Sequence, residues 1–152
     1  MQIKNHQSTL AAQAQGLLSG HTDRIANAAN LAALLFMELP DINWAGFYFL
    51  QVDELVLGPF QGNPACVSIP MGEGVCGTAA ASGEVQRVAD VQKFAGHIAC
   101  DVNSRSELVV PLIMDTLVIG VLDIDSPNLS RFTAEDEAGL CEIVGVLSRT
   151  LV

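Results

Sequence analysis

Three cysteines and three acids between residues 62 and 126 define the chemistry open to this 152-residue chain. Cys66 lies in Asn63-Pro64-Ala65-Cys66, Cys76 in Gly72-Glu73-Gly74-Val75-Cys76-Gly77, and Cys100 in Gly96-His97-Ile98-Ala99-Cys100-Asp101. Glu107 precedes Leu108-Val109-Val110-Pro111, and Asp123 and Asp125 sit in Gly120-Val121-Leu122-Asp123-Ile124-Asp125-Ser126. A carboxylate in an apolar run is costly to bury unless something pairs with it. Three of them beside thiols in glycine-rich loops suggest a site that binds a cationic or hydrogen-bonding group and carries out thiol chemistry.

A reactive thiol needs access and a lowered pKa, from a positive neighbour, a helix start or hydrogen bonds. Cys100 has His97 three residues before it and Arg105 five after, Cys76 stands just ahead of an expected helix, and Cys66 leads into an extended segment. Residue types alone leave these three open: small buried hydrophobes, a zinc set with His97, or a redox set. The short ligand spacing of common zinc sites is missing, and no pair forms Cys-x-x-Cys. Cys141, on the final helix, reads as a buried, inert thiol. No nucleophile-elbow pattern is present, and the glycines 72, 74 and 77 lack the Gly-Lys-Ser/Thr ending of a phosphate loop.

Composition narrows the partners. Half of the residues are hydrophobic, 16% are charged, and 17 acids against 7 bases give a net charge of −10. Such a surface disfavours nucleic acid and anionic membranes. The apolar stretch 55–72 is broken by Gly58, Pro59, Gly62, Pro64 and Pro70, so it cannot be a membrane helix. Four cysteines without an export signal point to a reducing, cytoplasmic setting.

The positioning elements read as follows. Residues 4–38 carry a helical pattern, with Leu10, Ala14, Leu17 and Leu18 on one face and Ile25, Ala28, Leu31, Ala32 and Leu35 on another. Thr22 or Asp23 caps the second helix, and Pro40 ends it. His6 and His21 read as surface residues. Residues 43–50 form an aromatic strand. Trp44, Gly46 and Tyr48 should face a pocket, and Ala45, Phe47 and Phe49 the helices. Residues 55–60 return as a hairpin partner, and 66–69 form a brief strand. A short helix follows at 78–81, then an extended piece at 86–89 and a long connection at 90–105. A second hairpin joins 107–114 to 117–126. A capping box at Thr133 and Asp136 opens a final helix with its stripe Leu140, Ile143, Val144, Leu147 and Leu151. Hairpins with helices at both ends give one α+β domain over 1–152, with an antiparallel sheet covered by helices on one face.

These runs resemble a known family. Asn43-Trp44-Ala45-Gly46-Phe47-Tyr48, Leu57-Gly58-Pro59-Phe60-Gln61-Gly62, Pro64-Ala65-Cys66, Gly74-Val75-Cys76-Gly77, Gly96-His97-Ile98-Ala99-Cys100-Asp101, Ser104-Arg105-Ser106-Glu107 and Gly120-Val121-Leu122-Asp123-Ile124-Asp125-Ser126-Pro127 are similar to the free methionine-R-sulfoxide reductases, which are stand-alone GAF domains. The resemblance implies a GAF fold with its pocket under loops on the sheet face away from the helices. It implies reduction of free L-methionine (R)-sulfoxide without a metal or other cofactor. Cys100 would attack the sulfoxide sulfur and become a sulfenic acid. Cys66 would condense with it to a disulfide, thioredoxin would reduce that disulfide, and Cys76 would take part in disulfide exchange. Trp44 and Tyr48 would wall the S-methyl group, while Glu107, Asp123 and Asp125 would supply a proton and hold the substrate ammonium. A homodimer is also implied. The competing reading is a ligand-binding GAF sensor without redox turnover.

Overall fold

A computed structural model describes residues 2–98 and 100–151, with side chains in the first helix from Thr9 onward. His6 therefore lies outside the described side chains, while His21 is exposed as expected. Helices α1 (Gln2–Leu18) and α2 (Arg24–Glu38) precede strands β1 (Trp44–Gln51), β2 (Glu54–Gly62) and β3 (Ser68–Pro70). Helix α3 (Gly74–Ser82), β4 (Gln86–Val88), a 3-10 turn (Val91–Lys93), β5 (Ser106–Met114), β6 (Leu117–Ser126) and α4 (Ala134–Thr150) follow.

The strands form one antiparallel sheet in the order β3-β2-β1-β6-β5-β4. The first and second hairpins meet through β1 and β6, so the two strands richest in site residues lie at its centre. Pro111 cannot donate to a ladder. It sits in β5 beyond Val109, where the pairing with β4 has already ended.

Strand alternation divides the molecule into two apolar layers. Ala45, Phe47, Phe49, Leu108, Val110, Leu122 and Ile124 pack with α1, α2 and α4. Trp44, Tyr48, Val109 and Val121 join Val75, Cys76, Ala79 and Ala80 of α3 on the other face. Leu17 and Ile25 are exposed although the helical pattern assigned them to apolar faces, because they lie at the margins of those stripes.

The helix ends follow their sequence signals. Asp23 caps α2, its Oδ1 accepting from the Ala26 amide at 2.8 Å. At α4, Thr133 Oγ1 accepts from the Asp136 amide at 3.1 Å and Asp136 Oδ2 accepts from the Thr133 amide at 2.8 Å. Arg131 reinforces this box with a 3.0 Å ion pair to Asp136. Such a cap contributes about 1 kcal/mol. Helix α3 begins at Gly74, earlier than the pattern indicated, which places Cys76 in its first turn. Strand β3 begins two residues after Cys66, leaving that cysteine in a strap outside the ladder. Among the described residues, no helix is long and apolar enough to cross a membrane.

Candidate active site

The register of the central strands brings the acids together. Across β5 and β6, Glu107 stands opposite Asp125 and Val109 opposite Asp123. Across β1 and β6, Trp44 stands opposite Asp125 and Gly46 opposite Asp123. The shared parity of Trp44, Tyr48, Glu107, Asp123 and Asp125 aims all five into a cavity of about 40 Å3. Cys76 on α3, Ile98 and Cys100 on the loop before β5, and Ala65 close it from above.

Gly46 makes room for this arrangement. A Cβ there would lie 2.3 Å from Phe60 Cβ and 2.7 Å from Trp44 Cη2. The absent side chain lets the indole lie across the strand, stacked on Phe60 with ring centroids 5.2 Å apart. The Tyr48 ring stacks on the same indole at 6.0 Å. Gly74, at φ 64°, turns the chain into α3 directly beneath Ile98.

Burial sets the electrostatics. Glu107, Asp123 and Asp125 are 7%, 6% and 9% exposed. Among the described residues both ion pairs, Arg87–Glu137 and Arg131–Asp136, involve other acids. Burial, with the charges of Asp123 and Asp125, pushes the Glu107 carboxyl well above the usual carboxylate range. Burial, with Asp123 and Asp101, does the same to Asp125. Asp123 is raised by burial to about 6, and hydrogen bonds from Glu107 and Cys76 pull against that rise. The pocket therefore keeps protonated carboxyl groups near neutral pH beside an acid that titrates there. Asp123 Oδ1 is buried without a protein partner, an open acceptor.

The cysteines divide into distinct roles. Cys66 and Cys100 form a disulfide that spans 34 positions of chain, with Cα atoms 5.4 Å apart. Cys76 is a buried free thiol, its Sγ donating to Glu107 Oε1 at 3.9 Å. Burial and the three surrounding acids push this thiol up, so it stays protonated. Cys141 is exposed, contrary to the buried thiol expected. It lies beside the apolar stripe of α4, on the side facing solvent. The disulfide takes two of the three thiolates out of the zinc set with His97. A different trio could ligate a divalent cation: Cys76 Sγ and carboxylate oxygens of Glu107 and Asp123 lie within 4.8 Å of one another.

Sequence reasoning missed how the strap and the loop are tied down. Trp44 Nε1 donates to the Asn63 carbonyl and the Tyr48 hydroxyl to the Cys66 carbonyl, both at 3.0 Å. Asn43 Nδ2 donates to Asp101 Oδ2 at 3.4 Å and to Ser104 Oγ at 3.3 Å. A polar residue just before Trp44 was a visible signal, but its partners lie 58 and 61 residues away.

This constellation has close counterparts. The GAF domain model matches residues 14–151. The free methionine-R-sulfoxide reductase of Escherichia coli (strain K12) is 58% identical over 135 residues, covering 89% of this chain and 82% of that protein. The chain belongs to the free methionine-R-sulfoxide reductase family. The free methionine-R-sulfoxide reductase of Saccharomyces cerevisiae is 42% identical over 146 residues, covering 91% of this chain and 81% of that protein. The structure of fRMsr of Staphylococcus aureus in complex with substrate superposes with a TM-score of 0.92 at 50% identity, covering 96% of this chain and 95% of that one. Family membership makes this chain an oxidoreductase on a GAF scaffold, with a cysteine pair present as a disulfide.

Proposed function

We propose that this chain reduces free L-methionine (R)-sulfoxide to L-methionine. The observation that carries the proposal is the Cys66–Cys100 disulfide closing a pocket floored by three buried acids. With the disulfide reduced, the Cys100 thiolate attacks the sulfoxide sulfur. A protonated carboxyl, Glu107 or Asp125, gives its proton to the sulfoxide oxygen. Methionine leaves and Cys100 keeps the oxygen as a sulfenic acid. The Cys66 thiol then displaces that oxygen as water and forms the disulfide. Two electrons from a protein dithiol, thioredoxin in this reading, restore both thiols.

The remaining residues provide recognition. Asp123 and a neighbouring carboxylate take the substrate ammonium, and the open Asp123 Oδ1 supports that role. The Trp44 and Tyr48 rings face the S-methyl group. Cys76, held as a thiol against Glu107, serves the pocket, and its part in disulfide exchange follows from the family resemblance. That resemblance also carries a homodimer, which gel filtration reads directly, and reducing cytoplasm is the setting in which this cycle runs.

Turnover of NADPH with thioredoxin reductase and thioredoxin tests the proposal, using free (R)-sulfoxide, free (S)-sulfoxide and peptide-bound sulfoxide. Activity confined to the free (R) form is expected. No turnover with that form, beside an active control enzyme, overturns it.

A further inference from the structure

Both halves of the disulfide are tied by side chains at β1, one half to the strand itself and the other to the residue just before it. The strap carrying Cys66 runs from Asn63 to Val67, where its end meets β2 as the Leu57 amide donates to the Val67 carbonyl at 2.9 Å. Its carbonyls at positions 63 and 66 accept from Trp44 Nε1 and the Tyr48 hydroxyl, each at 3.0 Å. The loop carrying Cys100 is held by the residue immediately before this strand, where Asn43 Nδ2 reaches Asp101 Oδ2 and Ser104 Oγ. The Asn43 amide is itself fixed, donating to the Asp125 carbonyl at 2.9 Å. β1 is a central strand, bonded on both sides and buried along residues 44–49. This strand and the residue before it thus hold one cysteine-bearing segment at each of two places.

We infer that Asn43, Trp44 and Tyr48 act as positioning residues for closure of the Cys66–Cys100 disulfide, through their polar ends. This deepens the reading above and rests on it. The aromatic rings face the pocket, while their N–H and O–H groups point to the backbone on either side of Cys66. Recognition and closure are therefore separable within the same residue. The closing step itself is the condensation already described: the Cys66 sulfur bonds to the Cys100 sulfur, and the sulfenic oxygen leaves as water. The hydrogen bonds fix where the Cys66 sulfur stands when that bond forms, and effective concentration depends steeply on such placement.

Asn43→Ala isolates the effect, since Asn43 lies outside the aromatic wall; Tyr48→Phe, which removes one hydroxyl and keeps the ring, is the second variant. Reduced enzyme is mixed with one equivalent of free methionine (R)-sulfoxide without external reductant. Methionine release, loss of free thiols and trapping of sulfenic acid by a cyclic 1,3-diketone are followed together. In the unaltered chain release and thiol loss should run together. In Asn43→Ala release should keep its rate, thiol loss should slow by about 2- to 10-fold, the worth of about one neutral hydrogen bond, and diketone-labelled Cys100 should accumulate. In Tyr48→Phe thiol loss should slow relative to methionine release by a similar factor, whatever the release rate itself.

A second measurement does not depend on the substrate. The fraction of Cys66–Cys100 disulfide in a glutathione redox buffer reports its equilibrium with the dithiol. Losing the Tyr48 hydroxyl should shift that equilibrium toward the dithiol by a similar factor. Unchanged closure and unchanged equilibrium in both variants overturn the inference. So does equal slowing of release and closure, which would make Tyr48 a recognition residue alone. Failure of the unaltered chain to release methionine would sink the proposed function instead, leaving the buffer experiment to decide the clamp.

Discussion

Glu107 stands directly opposite Asp125 across the β5–β6 ladder, and both carboxyl groups are buried. Like charges facing each other across a ladder destabilise it, and burial adds a desolvation cost to each. Burial and the neighbouring carboxylates therefore favour the protonated forms of both groups.

That arrangement makes stability depend on pH with a definite sign. The folded pKa values of Glu107 and Asp125 are raised, and that of Asp123 is raised to about 6. Between an ordinary carboxylate value of about 4 and these higher values, the folded state binds protons that the unfolded chain has released. Stability therefore falls as pH rises through that window. The disulfide form should melt at a higher temperature at pH 5 than at pH 8. For a chain of this size each 1 kcal/mol moves Tm by about 2–4 °C. Glu107→Gln should flatten the dependence. The same slope in that variant and in the original would locate the titration elsewhere.

Gly46 should be intolerant of a side chain. An added methyl would meet Phe60 Cβ at 2.3 Å and the indole at 2.7 Å, beside the β1–β2 register shift. Overpacking of this kind costs about 1–3 kcal/mol. Urea unfolding of Gly46→Ala should show that loss, with KM raised because Trp44 is displaced. Unchanged stability would mean that the strand shifts freely at this point.

The two free thiols should differ sharply toward a reagent. Cys141 is exposed on α4, while Cys76 is buried and its thiol is held protonated by burial and nearby acids. Titrating the native disulfide form with an aromatic disulfide reagent should give one fast thiol, located at Cys141 by mass spectrometry. Cys76 should react only on unfolding. Rapid labelling of Cys76 would show that the pocket opens widely.

Much of this was written in local pattern. The aromatic run at 43–50 and the paired apolar runs at 107–114 and 117–126 specify strands whose alternation sorts Phe47 from Trp44. Thr133 and Asp136 announce α4 because capping is a contact over three residues. What stayed hidden depends on distance in space. The exposure of Cys141 depends on how far around α4 its neighbours reach, which the stripe alone does not fix. The entry of Cys76 into the first turn of α3 depends on Gly74 adopting positive φ. The hydrogen bonds from β1 to Asn63 and Cys66, and from Asn43 to Asp101 and Ser104, join segments that sequence order keeps apart.

The most direct test of the central claim counts products in a single turnover. Fully reduced protein is given excess free methionine (R)-sulfoxide without reductant. The account predicts about one methionine released per chain, with peptides of Cys66 and Cys100 recovered as one disulfide-linked species. Cys66→Ser should still release one methionine, and Cys100→Ser should slow release by at least about 10^3-fold, as removal of a nucleophile does. Full release of methionine from Cys100→Ser, or none from the unaltered chain beside an active control, would contradict it.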